Sequence, residues 1–330
     1  MKSSVIALIA AGILPFSELE PNLDLMERIE VSQEEQGQIM KHKDSIEPEE
    51  FNDAFLRGDY ETIYQQFSDD FQESVSFEEF VRLSESFNEG VEAYRLKSEL
   101  SITKHLAQYV WVNEAETKGI RIVFDKHDTI QGLNVTPLPS YTETDRQYTE
   151  NEYVMPIKQE WNVVWGGTNH LINYHYLSPE QRYAYDLVIK KNGSSYHGNP
   201  LKNKHYYAFG QEVAAPANGK VIKVVEDVED NTPGEMNADQ PLGNHVVIEH
   251  DDGEYSLLAH FKQHSISVEP GDQVEQGDLL GLCGNSGNSS EAHIHFQVMD
   301  GPDVFEGQSI RIQFKTGKEP IQGDRVNPFN

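Results

Sequence analysis

Three histidines in the second half of the chain are of the type and spacing that could do chemistry. In Ala292-His293-Ile294-His295-Phe296-Gln297-Val298, side chains alternate across a strand, so His293 and His295 share one face. Ala292, Ile294, Phe296 and Val298 then enter the core. Two imidazoles on one rigid face suit a metal or acid–base work. A third histidine, His260, ends the strand Tyr255-Ser256-Leu257-Leu258-Ala259-His260 after the Asp251-Asp252-Gly253 turn. A carboxylate, Asp186, stands in Gln181-Arg182-Tyr183-Ala184-Tyr185-Asp186-Leu187-Val188-Ile189, where alternation sets it opposite Tyr185 and Leu187. The single cysteine, Cys283, excludes an intramolecular disulfide and any multi-cysteine metal site, which leaves histidine and carboxylate for zinc chemistry. Within the apolar run Leu279 to Cys283 it reads as a small buried hydrophobe.

Short strands must position these residues. From Trp161-Asn162-Val163-Val164-Trp165-Gly166-Gly167 to about Phe314, β-rich runs alternate with Gly, Asn and Asp turns, and no long amphipathic helix interrupts them. Val213-Ala214-Ala215-Pro216-Ala217-Asn218-Gly219-Lys220-Val221 reads as a hairpin. Val268 to Gly281 reads as tight turns between short strands, and Gly284-Asn285-Ser286-Gly287-Asn288-Ser289-Ser290 leads directly into the His293 strand. Trp161 and Trp165 read as core or junction packing. His170, His197, His205, His245, His250 and His264 read as surface or core-edge residues.

Residues 156–330 resemble the lysostaphin/LytM-type zinc metallopeptidases of peptidase family M23. The resemblance runs from Ala215-Pro216 through Gly219, His260, Gly271, Gly277, Gly284 and Gly287 to His293-Ile294-His295-Phe296. It implies an all-β antiparallel domain holding one Zn²⁺ per chain, with His295 as a ligand. His293 and His260 would flank the water that the metal activates. The other ligands in that family come from an H-x-x-x-D motif, and here Arg182 stands four residues before Asp186. The segment Asn173-Tyr174-His175 ahead of Gln181-Arg182-Tyr183-Ala184 resembles the subgroup with a loop inserted between the two ligands. That implies Asp186 and His175 as the remaining ligands, with His170 as the competing donor. Separation in space governs metal geometry, so a loop of ten residues can still deliver both.

The implied activity is a zinc-dependent endopeptidase hydrolysing peptide cross-links of bacterial peptidoglycan, its stems or cross-bridges being the partner and the cell surface or exterior the location. The rival is a catalytically silent adaptor of the same fold that regulates another wall hydrolase. Such a protein is expected to lose ligands, and all five positions are filled here. A biotinyl- or lipoyl-carrier domain shares the A-P-x-x-G and G-D-x-V-x-x-G turns, but no lysine sits at the hairpin tip and that fold has no use for H-x-H.

The first half is organised differently. The apolar run Val5 to Phe16 behind Met1-Lys2 is shorter than the roughly 18 residues that cross a bilayer, so residues 1–17 read as a signal-like segment. No cysteine stands near its end to accept a lipid. Residues 18–46 read as an acidic linker or loose helix. In 47–137, Phe51, Ala54 and Phe55, then Tyr60, Ile63, Tyr64 and Phe67, recur at helical spacing, and Ser76-Phe77-Glu78-Glu79 fits a capping box before a third helix. From Val91 the period becomes two. Helices followed by an antiparallel sheet make a small α+β domain, an order that resembles the nuclear-transport-factor-2-like cone domains. Residues 138–155, with Pro137 and Pro139 at their start, read as the join. The chain of 330 residues carries a formal charge of −29, and residues 17–80 hold 19 acidic against 4 basic side chains. A bare nucleic-acid backbone or an anionic membrane would repel it.

Overall fold

The computed structural model describes residues 45–328. They fall into two units, Met1–Ser140 and Tyr141–Asn330. The signal-like reading of 1–17, and the acidic-linker reading of 18–46 except its last two residues, lie outside the described residues.

In the first unit, aromatic side chains at helical spacing draw four short helices into one layer: α1 Phe51–Arg57, α2 Tyr60–Gln65, α3 Asp69–Ser74 and α4 Phe77–Asn88. Helix α1 stops at Gly58, whose φ of 85° is left-handed and open to glycine without penalty. Ser76 Oγ accepts the Glu79 amide at 3.2 Å, which supplies the serine half of the expected capping box. The antiparallel sheet β1 Tyr94–Ser101, β2 Leu106–Asn113, β3 Lys118–Asp125 and β4 Ile130–Pro137 follows in sequential order. One face of it, with Trp111, Ile120, Ile122 and Leu133, packs on Phe51, Phe55, Phe67 and Phe80. The expected order of helices before sheet is the one observed.

The second unit is built from strands and 3₁₀ turns, with no α-helix among its described residues. Its strands are β5 Tyr148–Tyr153, β6 Trp161–Trp165, β7 Tyr185–Val188, β8 Glu212–Ala214, β9 Gly219–Val225, β10 Asn244–Glu249, β11 Tyr255–Phe261, β12 Gln273–Val274, β13 Leu279–Leu282, β14 Ile294–Met299, β15 Ser309–Phe314 and β16 Arg325–Val326. The main sheet runs β12-β9-β10-β11-β14-β7-β6-β16, with β15 beside β14 and β5 beside β15, while β13 and β8 pair separately. All these pairings are antiparallel except β15 with β5. Across the centre, Leu258 faces Phe296, Phe296 faces Tyr185 and Ile294 faces Leu187, all within the core. Trp161 and Cys283 are buried in the same core. Among the described residues, no helix is long and apolar enough to cross a membrane.

The span 138–155, whose composition reads as a join, holds a 3₁₀ turn at Thr144–Arg146 and strand β5. The reason lies a hundred residues away. Buried Glu254 accepts hydrogen bonds from the Glu150 and Asn151 amides at 2.5 and 3.3 Å, from Asn151 Nδ2 at 2.9 Å and from the Tyr153 hydroxyl at 2.8 Å. A fragment starting at residue 141 is therefore expected to unfold as one cooperative unit. One starting at 154 strips that carboxylate of its donors and should lose on the order of 3 kcal/mol. Equal urea midpoints for the two fragments would refute this.

Candidate metal centre

The face of the sheet opposite the core carries the chemistry. Asp186 on β7 and His295 on β14 are directly paired across strands. Their side chains meet at 2.9 Å, His295 Nδ1 to Asp186 Oδ1. His293, two residues before His295, falls on the same face, with Nε2 at 3.9 Å from Asp186 Oδ1. Because Tyr185, Leu187, Ile294 and Phe296 occupy the core face of these two strands, a one-residue slip would bury the ionisable groups in the core, so register is tightly specified.

His175 arrives from a loop. It lies in a 3₁₀ turn, Tyr174–Leu177, capped by Asn173, whose Oδ1 accepts the His175 amide at 3.2 Å. Fully buried Asn173 also donates from Nδ2 to the carbonyls of Gly167, Arg182 and Ala184 at 3.1 to 3.3 Å. It thus fastens the start of the loop to its end. The Tyr174 ring lies over the imidazole, centroids 3.9 Å apart, and His175 Nε2 reaches Asp186 Oδ2 at 3.0 Å. His175, Asp186 and His295 each offer a ligand atom within 4.8 Å of the others, and His170 is not in this group.

His260 reaches the same place by breaking the alternation of its strand. Ala259 pairs with His295, so the next residue of a regular strand would point to the core. Register slips there: His245 pairs with Ala259 and Asn244 with Phe261, which leaves His260 as the extra residue of a bulge. Its φ of 69° is left-handed and uncommon for a non-glycine residue. The result is an imidazole tilted against that of His293, centroids 4.6 Å apart, and 6.0 Å from His295. All five residues are between 1% and 6% exposed.

Hydrogen bonds sort the four rings into two kinds. His260 Nδ1 donates to the Ser286 carbonyl at 2.8 Å, and His293 Nδ1 donates to the Glu291 carbonyl at 2.9 Å, with Ser289 Oγ at 3.1 Å. Each therefore keeps a bare Nε2. His175 and His295 instead stand between two acceptors. His175 Nδ1 meets Gln181 Oε1 at 2.9 Å and His295 Nε2 meets Gln297 Oε1 at 2.9 Å, while the other nitrogen of each faces Asp186. Gln297 Nε2 donates to the Glu180 carbonyl, which turns Oε1 toward the ring. A neutral imidazole has a single N–H and cannot serve both sides; with that N–H on the amide oxygen, each ring turns a lone pair toward the Asp186 side. A cation among those atoms removes the conflict. Two histidine nitrogens and one carboxylate, each ring held from behind by an amide oxygen, are the donor set and support of a three-ligand zinc site.

Burial alone would raise the Asp186 carboxyl, but the surrounding His175, His295 and His293 hold it well below the usual carboxylate range. Burial, together with neighbouring His293 and His295, pushes His260 well below the ordinary histidine value and keeps it neutral. His175 is lowered by burial, against the pull of Asp186. At His295 burial also opposes charge, but the hydrogen bond to Asp186, the charge of Asp186 and the Gln297 hydrogen bond together outweigh it and the ring is raised.

The structure thus brings together all five residues singled out in the sequence. The supporting Asn173, Gln181, Gln297, Ser286 and Ser289 were not among them. Gln297 could have been found, since it stands two residues beyond His295 and shares its face.

Residues 204–311 match the family model described as Peptidase family M23. The matched segment lies within the second unit and holds His260, His293 and His295, while His175 and Asp186 lie upstream of it. An "Uncharacterized metalloprotease" of Buchnera aphidicola subsp. Baizongia pistaciae is 30% identical over 115 residues, or 35% of this chain and 29% of that protein. The chain therefore spans less than a third of the length of this curated relative. Among solved structures, the catalytic domain of the antimicrobial peptidase lysostaphin from Staphylococcus simulans is 19% identical, covering 52% of this chain and 93% of that one at a TM-score of 0.26. A zinc containing peptidase from Vibrio cholerae is 16% identical, covering 65% of this chain and 56% of that one at a TM-score of 0.25.

Gln181→Ala and Gln297→Ala should each weaken zinc binding about 10- to 100-fold while leaving the fold intact, because each frees the His175 or His295 ring to turn. Competition against a chromogenic chelator measures this, and affinities equal to that of the native chain would contradict the assigned support.

Proposed function

We propose that the second unit is a zinc-dependent endopeptidase that hydrolyses peptide cross-links of bacterial cell-wall peptidoglycan, acting at the cell surface or outside the cell. The observation that carries this reading is the sorting of the four imidazoles. Two are backed by amide oxygens and converge with Asp186, and two are backed by main-chain carbonyls with bare Nε2 atoms alongside. A silent adaptor would have no need of the second pair.

In this reading His175 Nε2, Asp186 and His295 Nδ1 hold one Zn²⁺. Bound there, zinc supplies Lewis-acid chemistry, polarising the scissile carbonyl and lowering the pKa of water toward about 7. His260, neutral through burial, accepts the proton of the attacking water at Nε2. The imidazolium so formed, still anchored through Nδ1, is a donor toward the oxyanion and then returns the proton to the leaving amine nitrogen. His293 Nε2 flanks the same centre as the second acceptor. The helices and sheet of the first unit support its reading as a cone-like spacer or docking domain.

His260→Ala and His293→Ala should retain zinc yet lose hydrolysis by about 10²-fold or more. Asp186→Ala and His295→Ala should lose both. Metal analysis and mass identification of the peptides released from purified peptidoglycan read the two effects separately. A chain purified without chelator that holds no zinc, and whose melting temperature is unmoved by added Zn²⁺, would sink the enzyme reading in favour of the adaptor.

A further inference from the structure

The His175 loop is held from outside as well as from within. Ten residues separate His175 from Asp186, and the loop between them has no regular structure beyond its 3₁₀ turn. Segment 141–146, the first stretch of the second unit, lies against it. The Asp145 carboxylate accepts the Tyr176 hydroxyl at Oδ2, 2.8 Å, and the Tyr183 hydroxyl at Oδ1, 2.9 Å. These two tyrosines flank the loop, one directly after His175 and one three residues before Asp186. Arg182 donates to Thr144 Oγ1 at 3.0 Å and to the Tyr176 carbonyl at 3.2 Å, and its guanidinium lies 3.5 Å from the Tyr141 ring centroid. The segment is itself pinned to the sheet, for Arg311 on β15 donates to the Asp145 carbonyl at 2.6 Å while pairing with Glu319.

Tyr176 and Tyr183 therefore share one carboxylate, and the loop cannot widen or shift along the sheet without breaking a hydrogen bond at one end. We propose that residues 141–146 are a strap that sets the position of His175, with Asp145 as the positioning residue through which the segment entering the second unit tunes metal affinity. This rests on His175 being a ligand as proposed above. Asp145 touches neither metal nor substrate; it acts through the backbone of the loop. A pull on the chain ahead of Tyr141, or a cut within 141–146, acts first on the ligand contributed by the loop and leaves Asp186 and His295 on their strands.

The test uses the full chain loaded with cobalt(II), whose visible d–d bands report ligand geometry as well as occupancy. Asp145→Ala should weaken cobalt binding about 10- to 100-fold, as loss of a ligand's outer support does, and should change the band intensities at saturation. The paired variant Tyr176→Phe with Tyr183→Phe removes only the two hydroxyls and should weaken binding in the same direction; it decides the matter if Asp145→Ala fails to fold. Native affinity and a native spectrum in that pair would overturn the strap. His175→Ala separates the two ideas. If it loses tight binding while the strap variants keep it, the strap alone is wrong. If it binds as the native chain does, the ligand assignment falls and the strap falls with it.

Discussion

A buried carboxylate is the constraint on which the second unit depends. Asp186 is 1% exposed, and a charge so placed costs several kcal/mol unless it is answered by partners of fixed geometry. Three imidazoles surround it, His295 from β14, His293 from just ahead of that strand and His175 from a loop, at 2.9, 3.9 and 3.0 Å. The strands can hold that geometry because their other face is core: each ionisable residue is flanked in sequence by buried apolar neighbours that fix its rotation and register. Apolar burial on one side of β7 and β14 thus sustains polar convergence on the other.

What could be read in the sequence follows from how local each cause is. Alternation across one strand is local, so the common face of His293 and His295, and the exposure of Asp186 to that face, were legible from spacing. The bulge at His260 was not. Alternation alone would turn that residue into the core, and only a register slip set by the neighbouring β10 turns it back. His175 was legible through resemblance rather than physics, because nothing in ten residues of loop says where its end will lie. Asn173 closes that loop with three carbonyl acceptors spread from Gly167 to Ala184, a pattern visible only after folding.

The same distinction explains the join. Pro, Thr and Asn in 138–155 read as linker because the partners that order the segment are distant in sequence: Glu254 for β5, and Tyr176, Tyr183 and Arg311 for the turn at Thr144–Arg146. The first unit was easier, since its helices announce themselves through aromatic spacing and a serine cap, and its four strands are sequential neighbours. Local pairing in a meander demands little of the sequence beyond period two and a turn.

The two bare imidazoles owe their orientation to main chain rather than side chain. The carbonyl that fixes His260 belongs to Ser286, in a loop packed against Gly243 so closely that a Cβ on Gly287 would lie 2.4 Å from the Gly243 nitrogen, at a φ of +82° that L side chains rarely adopt. Asn231 locks that loop further, donating from Nδ2 to the carbonyls of Gly287 and Ser289 at 2.7 and 2.9 Å. Ser289 in turn bonds to Asn285 at 2.7 Å and stands beside His293. Main-chain carbonyls do not titrate, so the tautomers of His260 and His293 survive any change of protonation at the centre.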